Sequence, residues 1–155
     1  MAVNARPGTD AEALTRTWNM HVLHDVAGDA AGPLSGVKVG LLWARELGAR
    51  AIAVSPCDVP LLPDDLFARL IDAAGSSGAA MAETAEGHQP LCAVWPVSAL
   101  EKVAAALQGG AHPATWKMLD GIGAARVRFP DAAAFANVNT RADLEAIAAR
   151  LPTVG

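Results

Sequence analysis

The sequence predicts an α/β fold in which helices pack on both faces of a mostly parallel sheet. Short apolar runs alternate along the chain with segments whose apolar residues recur at helical spacing. This alternation is typical of repeated strand–helix–strand units. The chain has 155 residues, of which 52% are hydrophobic, and that size suits one domain with an ordinary core. We therefore expect a single domain over residues 1–155.

The first half of the chain predicts strands and helices in strict alternation. Thr9 and Asp10 are cap residues for a first helix, and Gly48 stands where the residue after a helix end belongs. Pro63 suits the first position of another helix, with Asp64 and Asp65 at its positive end. The predicted strands are Met1–Asn4 (the end of a strand), His21–Leu23 and a buried Ala51–Ser55. The predicted helices are Ala11–Thr17, Ser35 or Gly36 to Leu47, and Pro63–Ala74, with loops at Gly28–Gly36 and Pro56–Pro63.

The second half predicts a more mixed order. Its last helix begins after Asn139 or Thr140 and has Asp143 near the position of a capping box. The predicted strands are Ala79–Ala82 and Leu91–Trp95, around a polar loop Glu83–Pro90, and then Ala125–Phe129. The predicted helices are Val97–Leu107, His112–Leu119 and the last one, through Arg150.

Composition excludes several classes of function. The net charge is −4 and no cluster of lysines and arginines is visible, which argues against a nucleic-acid groove. No apolar run reaches the roughly 20 residues needed to span a bilayer, and Met1–Asp10 lacks the apolar core of a signal peptide. Cys57 and Cys92 lie in apolar runs without zinc-ligand spacing, as in a reduced cytoplasmic protein. We expect a cytoplasmic protein that binds neither membrane nor nucleic acid.

Asp58 is the first candidate for chemistry. It follows the apolar run Ala51–Ser55 within a turn rich in proline. Ligands of open α/β sheets bind beyond the carboxyl ends of the strands, and Mg²⁺ is usually held by one or two carboxylates together with substrate phosphates. Asp58 is therefore either a catalytic magnesium ligand or a turn aspartate that bonds its own backbone.

Two further features precede Asp58. In Gly32-Pro33-Leu34-Ser35-Gly36, glycines frame a turn into a helix, whose free N–H groups suit an anion. Asp25 follows the run His21–Leu23, and its carboxylate can accept two hydrogen bonds from guanine N1–H and the 2-amino group. The other interpretations are a plain loop-to-helix turn and a solvated loop aspartate.

Polar residues of the second half complete the set of candidates. Asn137 and Asn139 alternate in an extended segment, so their amides share one face and suit the edge of a pterin ring. Asn139 also suits a helix cap. His88 and Gln89 precede the run Leu91–Trp95 and can line the same crevice, although a lone histidine in a loop is more often surface.

These segments, taken in order, resemble the molybdenum cofactor guanylyltransferases of the MobA type. The resemblance is carried by GPLSG, PCDVPLLP, HQP and FANVNT, and it covers nearly the whole chain. It implies a Rossmann-like, GT-A-like three-layer αβα nucleotidyltransferase domain. It also implies transfer of GMP from GTP, with Mg²⁺, to molybdopterin.

The resemblance also implies a role for each candidate residue. Asp58 corresponds to the magnesium-binding aspartate, and Asn4 and Asp25 to residues that contact guanine. The turn of Gly32, Pro33, Leu34 and Gly36 corresponds to the lining of the nucleotide pocket. Asn137 and Asn139 correspond to contacts with molybdopterin. Expected partners beyond the two substrates are other cofactor-biosynthesis proteins and recipient molybdoenzymes.

The family pattern begins with a strand and a glycine-rich loop of the type LAGGxSxRMG, which does not precede Met1 here. The resemblance therefore implies a domain without its first strand and phosphate-binding loop. Two alternatives stay open at this point. One is a cytidylyltransferase that uses CTP, and the other is a non-catalytic module that binds molybdopterin or a partner.

Overall fold

The computed structural model describes residues 1–29, 32–108 and 113–148. These residues form six strands and six α-helices, with short 3₁₀ turns at Gly75–Ser77, Val97–Ala99 and Ala132–Phe135. The strands are β1 (Ala2–Asn4), β2 (His21–Leu23), β3 (Ala51–Val54), β4 (Ala80–Thr84), β5 (Gly87–Pro96) and β6 (Ala125–Arg128). The helices are α1 (Asp10–Thr17), α2 (Pro33–Glu46), α3 (Leu66–Ala74), α4 (Leu100–Gln108), α5 (Thr115–Asp120) and α6 (Arg141–Ala148).

The strands form two sheets. β1 and β2 pair in parallel, with Val3 opposite Val22. The larger sheet has the order β3-β5-β4-β6, in which β5 is antiparallel to β3 and β4, while β4 and β6 are parallel. The α/β class is thus confirmed. The expectation of a mostly parallel sheet is wrong, because β4 and β5 form a hairpin and hairpin strands are antiparallel.

Helices cover both faces of the larger sheet, as the side chains of β5 show. Ala93 and Trp95 pack with apolar side chains of α2, α4 and α5. Cys92 and Val94 face the other way and pack with α3 and Phe129. Because successive side chains of a strand point to opposite faces, this alternation defines helix, sheet and helix layers.

β3 is more exposed than its sequence predicts. Ile52 and Val54 are half-buried against the α2 layer, but Ala51 and Ala53 on the opposite face are exposed. Within the described residues β3 pairs along one edge, with β5, and α3 packs mainly on β4, β5 and β6. The prediction of a buried strand at Ala51–Ser55 is therefore wrong, because an apolar run shows only that a strand can be buried and its neighbours decide whether it is.

Several helix boundaries differ from the prediction. α2 begins at Pro33 rather than at Ser35 or Gly36, because proline presets the helical φ and needs no N–H partner in the first turn. α3 begins at Leu66 rather than at Pro63, whose carbonyl accepts a hydrogen bond from Leu66 N. Even α2, with 14 residues, is too short to cross a bilayer, and no other described helix has the length and apolarity to do so.

The polar segment predicted as a loop at Glu83–Pro90 forms most of a hairpin. Thr84 pairs with Gly87, Glu83 with His88 and Ala82 with Gln89, and the register shifts between Met81 and Ala82. The prediction of a loop is wrong because the segment's polar side chains lie toward the partly exposed end of the sheet, where polarity does not disfavour a strand.

Shorter elements lie close to their predictions. α1, β2 and β6 match within one residue at each end, and Thr9 caps α1 by accepting a hydrogen bond from Glu12 N at 3.4 Å. α5 begins at Thr115, and the predicted start at His112 lies outside the described residues, as does the predicted end of the last helix at Arg150.

Candidate functional site

Asn4, Asp25 and Gly36 meet where β1 and β2 end. The Asn4 side-chain amide donates to Leu23 O at 3.3 Å and to Asp25 Oδ1 at 3.0 Å. A Cβ atom at Gly36 would lie 3.0 Å from Asn4 Oδ1. The first turns of α2 therefore approach Asn4 closely only because residue 36 has no side chain, and Asn4 in turn orients the Asp25 carboxylate.

The predicted GPLSG turn is the N-terminus of α2. Gly32 is the N-cap, Pro33 opens the helix, and both are exposed. No side chain caps this end among the described residues; Pro33 has no N–H, and Ser35 N donates to Gly32 O at 3.0 Å. A helix N-terminus of this kind suits an anion through its partial positive charge. Leu34 has no exposed surface and packs in the core, so only its backbone can contribute to a site.

Asp58 is held from two directions. Its Oδ2 accepts a hydrogen bond from Asn137 Nδ2 at 3.0 Å, and its backbone carbonyl accepts one from Val138 N at 2.7 Å. Asp58 is half-buried, so the carboxylate is fixed and still reaches solvent. The structure thus joins the loop after β3 to the segment before α6, as the sequence-based assignment of one site to both segments requires.

Asn139 has a different position from Asn137. Its backbone N–H donates to Asp143 Oδ2 at 3.0 Å, and Thr140 N donates to the same oxygen at 2.8 Å. Asp143 N in turn donates to Thr140 Oγ1 at 3.2 Å, which completes the predicted capping box. The Thr140 side chain, followed by the two backbone N–H groups, lowers the pKa of Asp143 from its ordinary value. Asn137 is the amide that the structure brings to Asp58.

A cavity of about 160 Å³ opens beside this contact. Its lining combines the loop after β3, the hairpin strand β5 and the segment before α6, and consists of Pro56, Val59, Gln89, Pro90, Leu91, Cys92, Phe135 and Asn137. Burial raises the pKa of the Cys92 thiol to about 12, so this thiol is not a nucleophile near neutral pH. Gln89 and Asn137 thus line the same cavity.

His88 lies elsewhere on the hairpin. Its Nδ1 is 3.3 Å from Glu83 Oε2, and its ring centroid lies 5.4 Å from that of Trp116. This setting is a cross-strand contact on β4 and β5. The half-buried histidine therefore packs between Glu83 of β4 and Trp116 of α5.

Asp25 and Asp58 each follow a strand, and α2 connects these two strands along the chain. β2 lies in the two-stranded sheet and β3 in the four-stranded sheet, and α2 packs on β1, β2, β3 and β5. Ligands of α/β folds bind beyond strand ends, so both carboxylates stand at positions suited to a ligand.

A divalent cation fits Asp58 only together with substrate oxygens. The described residues contain no group of three or more His, Cys, Asp and Glu side chains placed to hold a metal. Mg²⁺ commonly takes one or two carboxylates and completes its shell with phosphates and water. With Asn137 on Oδ2, Asp58 keeps its other carboxylate oxygen for that purpose.

Sequence reasoning missed one charged contact between α2 and the loop after β2. Lys38 Nζ lies 2.8 Å and 2.7 Å from the two carboxylate oxygens of Asp29. The available signal was a lysine between Val37 and Val39 on the apolar face of a helix, where a charge needs a partner. The partner could not be read from the sequence, because Asp29 lies in a loop.

A three-layer α/β domain in which polar groups follow strand ends, together with a helix N-terminus, is typical of nucleotide-binding domains. A family model described as "MobA-like NTP transferase domain" matches residues 1–125. The chain belongs to this family of nucleotidyltransferases.

Named relatives agree with this assignment. The chain is 43% identical over 113 residues to a molybdenum cofactor guanylyltransferase of Cereibacter sphaeroides, which covers 73% of this chain and 58% of that protein. It is 38% identical over 146 residues to the enzyme of that name from Cupriavidus taiwanensis, covering 89% and 71% of the two chains. The chain thus spans 58% of the length of the Cereibacter relative.

Solved structures show the same fold at lower identity. The molybdopterin-guanine dinucleotide biosynthesis protein A of Archaeoglobus fulgidus superposes with a TM-score of 0.73 at 17% identity, over 97% of this chain and 79% of that one. The 2-C-methyl-D-erythritol 4-phosphate cytidylyltransferase of Thermus thermophilus gives 0.68 at 17% identity, over 97% and 82%. Together they confirm the nucleotidyltransferase fold predicted from the sequence.

Proposed function

We propose that this protein transfers GMP from GTP to molybdopterin and so forms molybdopterin guanine dinucleotide. The observation that carries the proposal is the contact between Asp58 and Asn137, in a domain whose sequence relatives are named guanylyltransferases. This contact joins a carboxylate suited to a metal–triphosphate to an amide that borders a cavity.

Asp25 is the proposed acceptor for the guanine base. Its carboxylate is exposed and is oriented by the Asn4 amide at 3.0 Å. Two acceptor oxygens match the N1–H and 2-amino donors of guanine, whereas the corresponding edge of cytosine presents acceptors as well as a donor. This complementarity supports GTP over CTP. Gly36 of α2 lies against the Asn4 side chain, which supports the turn from Gly32 and Pro33 to Gly36 as the proposed lining of the nucleotide pocket.

Asp58 is the proposed holder of the metal–triphosphate. Mg²⁺, when bound there, would neutralise phosphate charge and assist the departure of pyrophosphate. A molybdopterin phosphate oxygen attacks the α-phosphorus of GTP, a new P–O bond forms, and the bond to the β-phosphate oxygen breaks to release pyrophosphate. No side chain needs to remove a proton, because a phosphate is already ionised near pH 7. The buried Cys92 thiol has no part in this reaction.

Asn137 and Asn139 are the proposed contacts for the acceptor. Asn137 lines the cavity beside Gln89, and amides can donate to and accept from a pterin edge. The capping box at Asp143 fixes the backbone of Asn139. Other biosynthetic proteins and recipient molybdoenzymes remain proposed partners, and the cytoplasm the proposed location.

The test compares nucleotides and then measures turnover. With Mg²⁺ present, GTP should bind with an affinity at least about tenfold above that of CTP, and Asp25→Asn should remove the preference. Added molybdopterin should release pyrophosphate from GTP. Tighter binding of CTP would replace this function by cytidylyl transfer. Binding of molybdopterin without binding of either nucleotide would show a non-catalytic module.

A further inference from the structure

The ion pair of Lys38 with Asp29, which lies in the loop that follows Asp25, has no role in the proposed function. Lys38 Nζ contacts both carboxylate oxygens of Asp29, at 2.8 Å and 2.7 Å. The side chains are only 11% and 8% exposed. Because both side chains are mostly removed from water, the ammonium group of Lys38 and the carboxylate of Asp29 compensate each other's charge. The two short contacts are charge-assisted hydrogen bonds.

The pair closes one end of a short loop whose other end carries Asp25. Asn4 holds Asp25 at 3.0 Å, and Lys38 holds Asp29. Between them, Asp29 N donates to Val26 O at 3.2 Å and so forms a turn. Val26 is 41% exposed, so the apolar side chain of the loop contributes little burial. The two polar contacts, Asn4 with Asp25 and Lys38 with Asp29, therefore fix the position of the Asp25 carboxylate.

Lys38 links this loop to the helix that lines the proposed nucleotide pocket. It lies on α2 two residues after Gly36, which packs against Asn4. One helix thus sets both ends of the loop, through Asn4 at Asp25 and directly at Asp29. Removing one partner of a buried ion pair leaves a charge without compensation, so an unpaired Asp29 would turn toward water and carry the loop with it.

We propose that Lys38 is a positioning residue that sets nucleobase selectivity, because it holds Asp29 and thereby keeps the Asp25 carboxylate where both of its guanine bonds can form. The proposal rests on the proposed function, since it assumes that Asp25 reads guanine. Lys38 touches no nucleotide in this scheme, so its effect is on the ratio of affinities for two bases.

The test measures the ratio of affinities for GTP and ITP, whose base lacks the 2-amino group. Wild type should prefer GTP, and Lys38→Met should lower the preference by about tenfold, the scale of one lost hydrogen bond to a charged group. Replacing both partners, in Lys38→Met with Asp29→Leu, should restore the ratio to within about threefold, because no charge is then stranded. In Asp29→Asn the side-chain amide oxygen can still accept a hydrogen bond from Lys38, so the variant should fold. It should lower the ratio of GTP to ITP affinity by about threefold.

Leu107→Ala is the control for loss of stability alone. Leu107 is 1% exposed on α4 and packs in the core, so the variant should lower the melting temperature without changing the ratio. The proposal is overturned if Lys38→Met and Asp29→Asn keep the wild-type ratio while Asp25→Asn removes the preference. If Asp25→Asn also keeps the ratio, or if wild type binds neither nucleotide, the assignment of guanine recognition to Asp25 fails and the role of Lys38 fails with it.

Discussion

The side-chain amide of Asn137 donates a hydrogen bond to the carboxylate of Asp58 at 3.0 Å, across 79 positions of sequence. The bond leaves the second carboxylate oxygen for a cation and turns the amide toward the neighbouring cavity. It therefore couples the proposed metal–triphosphate position to the proposed acceptor position. Its counterpart is the bond between Asn4 and Asp25, which orients the proposed guanine acceptor.

Asn137→Ala should weaken the binding of GTP with Mg²⁺ by about fivefold to tenfold, because Asp58 loses the donor that orients it. Titration calorimetry measures the change. Asn139→Ala is the matched control, since Asn139 meets Asp143 through its backbone and its truncation should leave GTP affinity within about twofold. Equal losses in the two variants would show that Asn137 has no special part in orienting Asp58.

Gly36→Ala should lower GTP affinity by about tenfold. The new Cβ would lie 3.0 Å from Asn4 Oδ1, so the Asn4 amide must shift by a few tenths of an ångström and its bond to Asp25 is weakened. Gly40→Ala is a control on the same helix, with the same gain of about 1 kcal/mol in helix propensity. Its Cβ would meet only Ile52 Cδ1, also at 3.0 Å, and that flexible side-chain end can shift. Matching affinities for the two variants would contradict the close packing at Asn4.

The two cysteines should react with a thiol reagent at very different rates. Cys57 is exposed, whereas Cys92 is buried and its thiol pKa is raised to about 12 by burial. The cysteine thiolate is the form that attacks the reagent, so one cysteine should react in the native protein and the second only after unfolding. In the Cys57→Ser variant the native reaction should disappear. Fast labelling of native Cys57→Ser would show that the Cys92 thiol is accessible to the reagent, which would contradict its burial.

Asp143→Asn should destabilise α6 at neutral pH but not in acid. The hydrogen bonds from Thr140 and Asn139 lower the pKa of Asp143 below its ordinary value of 3.8. Such a group stabilises the folded state above that value, and the stabilisation is lost as the pH falls through the folded pKa. Melting temperatures of wild type and variant should therefore differ near pH 7 and converge near pH 2. Asp72→Asn, at an exposed position of α3, is the control, and a wild-type advantage that persists in strong acid would contradict the capping role.

Local signals in the sequence predicted much of the fold. Thr9 predicted the start of α1 and Gly48 the end of α2, because capping depends on residues within one turn. Asp143 was placed correctly in the capping box for the same reason. Asp25 and Asp58 were proposed by the rule that ligands lie beyond strand ends, and in the structure they follow β2 and β3.

Non-local relationships could not be predicted in the same way. The exposure of Ala51 and Ala53 depends on which strands and helices lie beside β3, and an apolar run does not encode its neighbours. The ion pair of Lys38 and Asp29 joins a helix to a loop, and nothing in their spacing specifies the contact. Long-range pairings of this kind arise from the assembled topology.

The role of Asp58 as the holder of the metal–triphosphate is tested most directly by titrating GTP into wild type and Asp58→Ala with and without Mg²⁺. Asp64→Asn, at an exposed position near the start of α3, controls for the loss of one negative charge. We predict that Mg²⁺ raises GTP affinity by at least about tenfold in wild type and Asp64→Asn and has no effect in Asp58→Ala. An undiminished response to Mg²⁺ in Asp58→Ala would contradict the assignment.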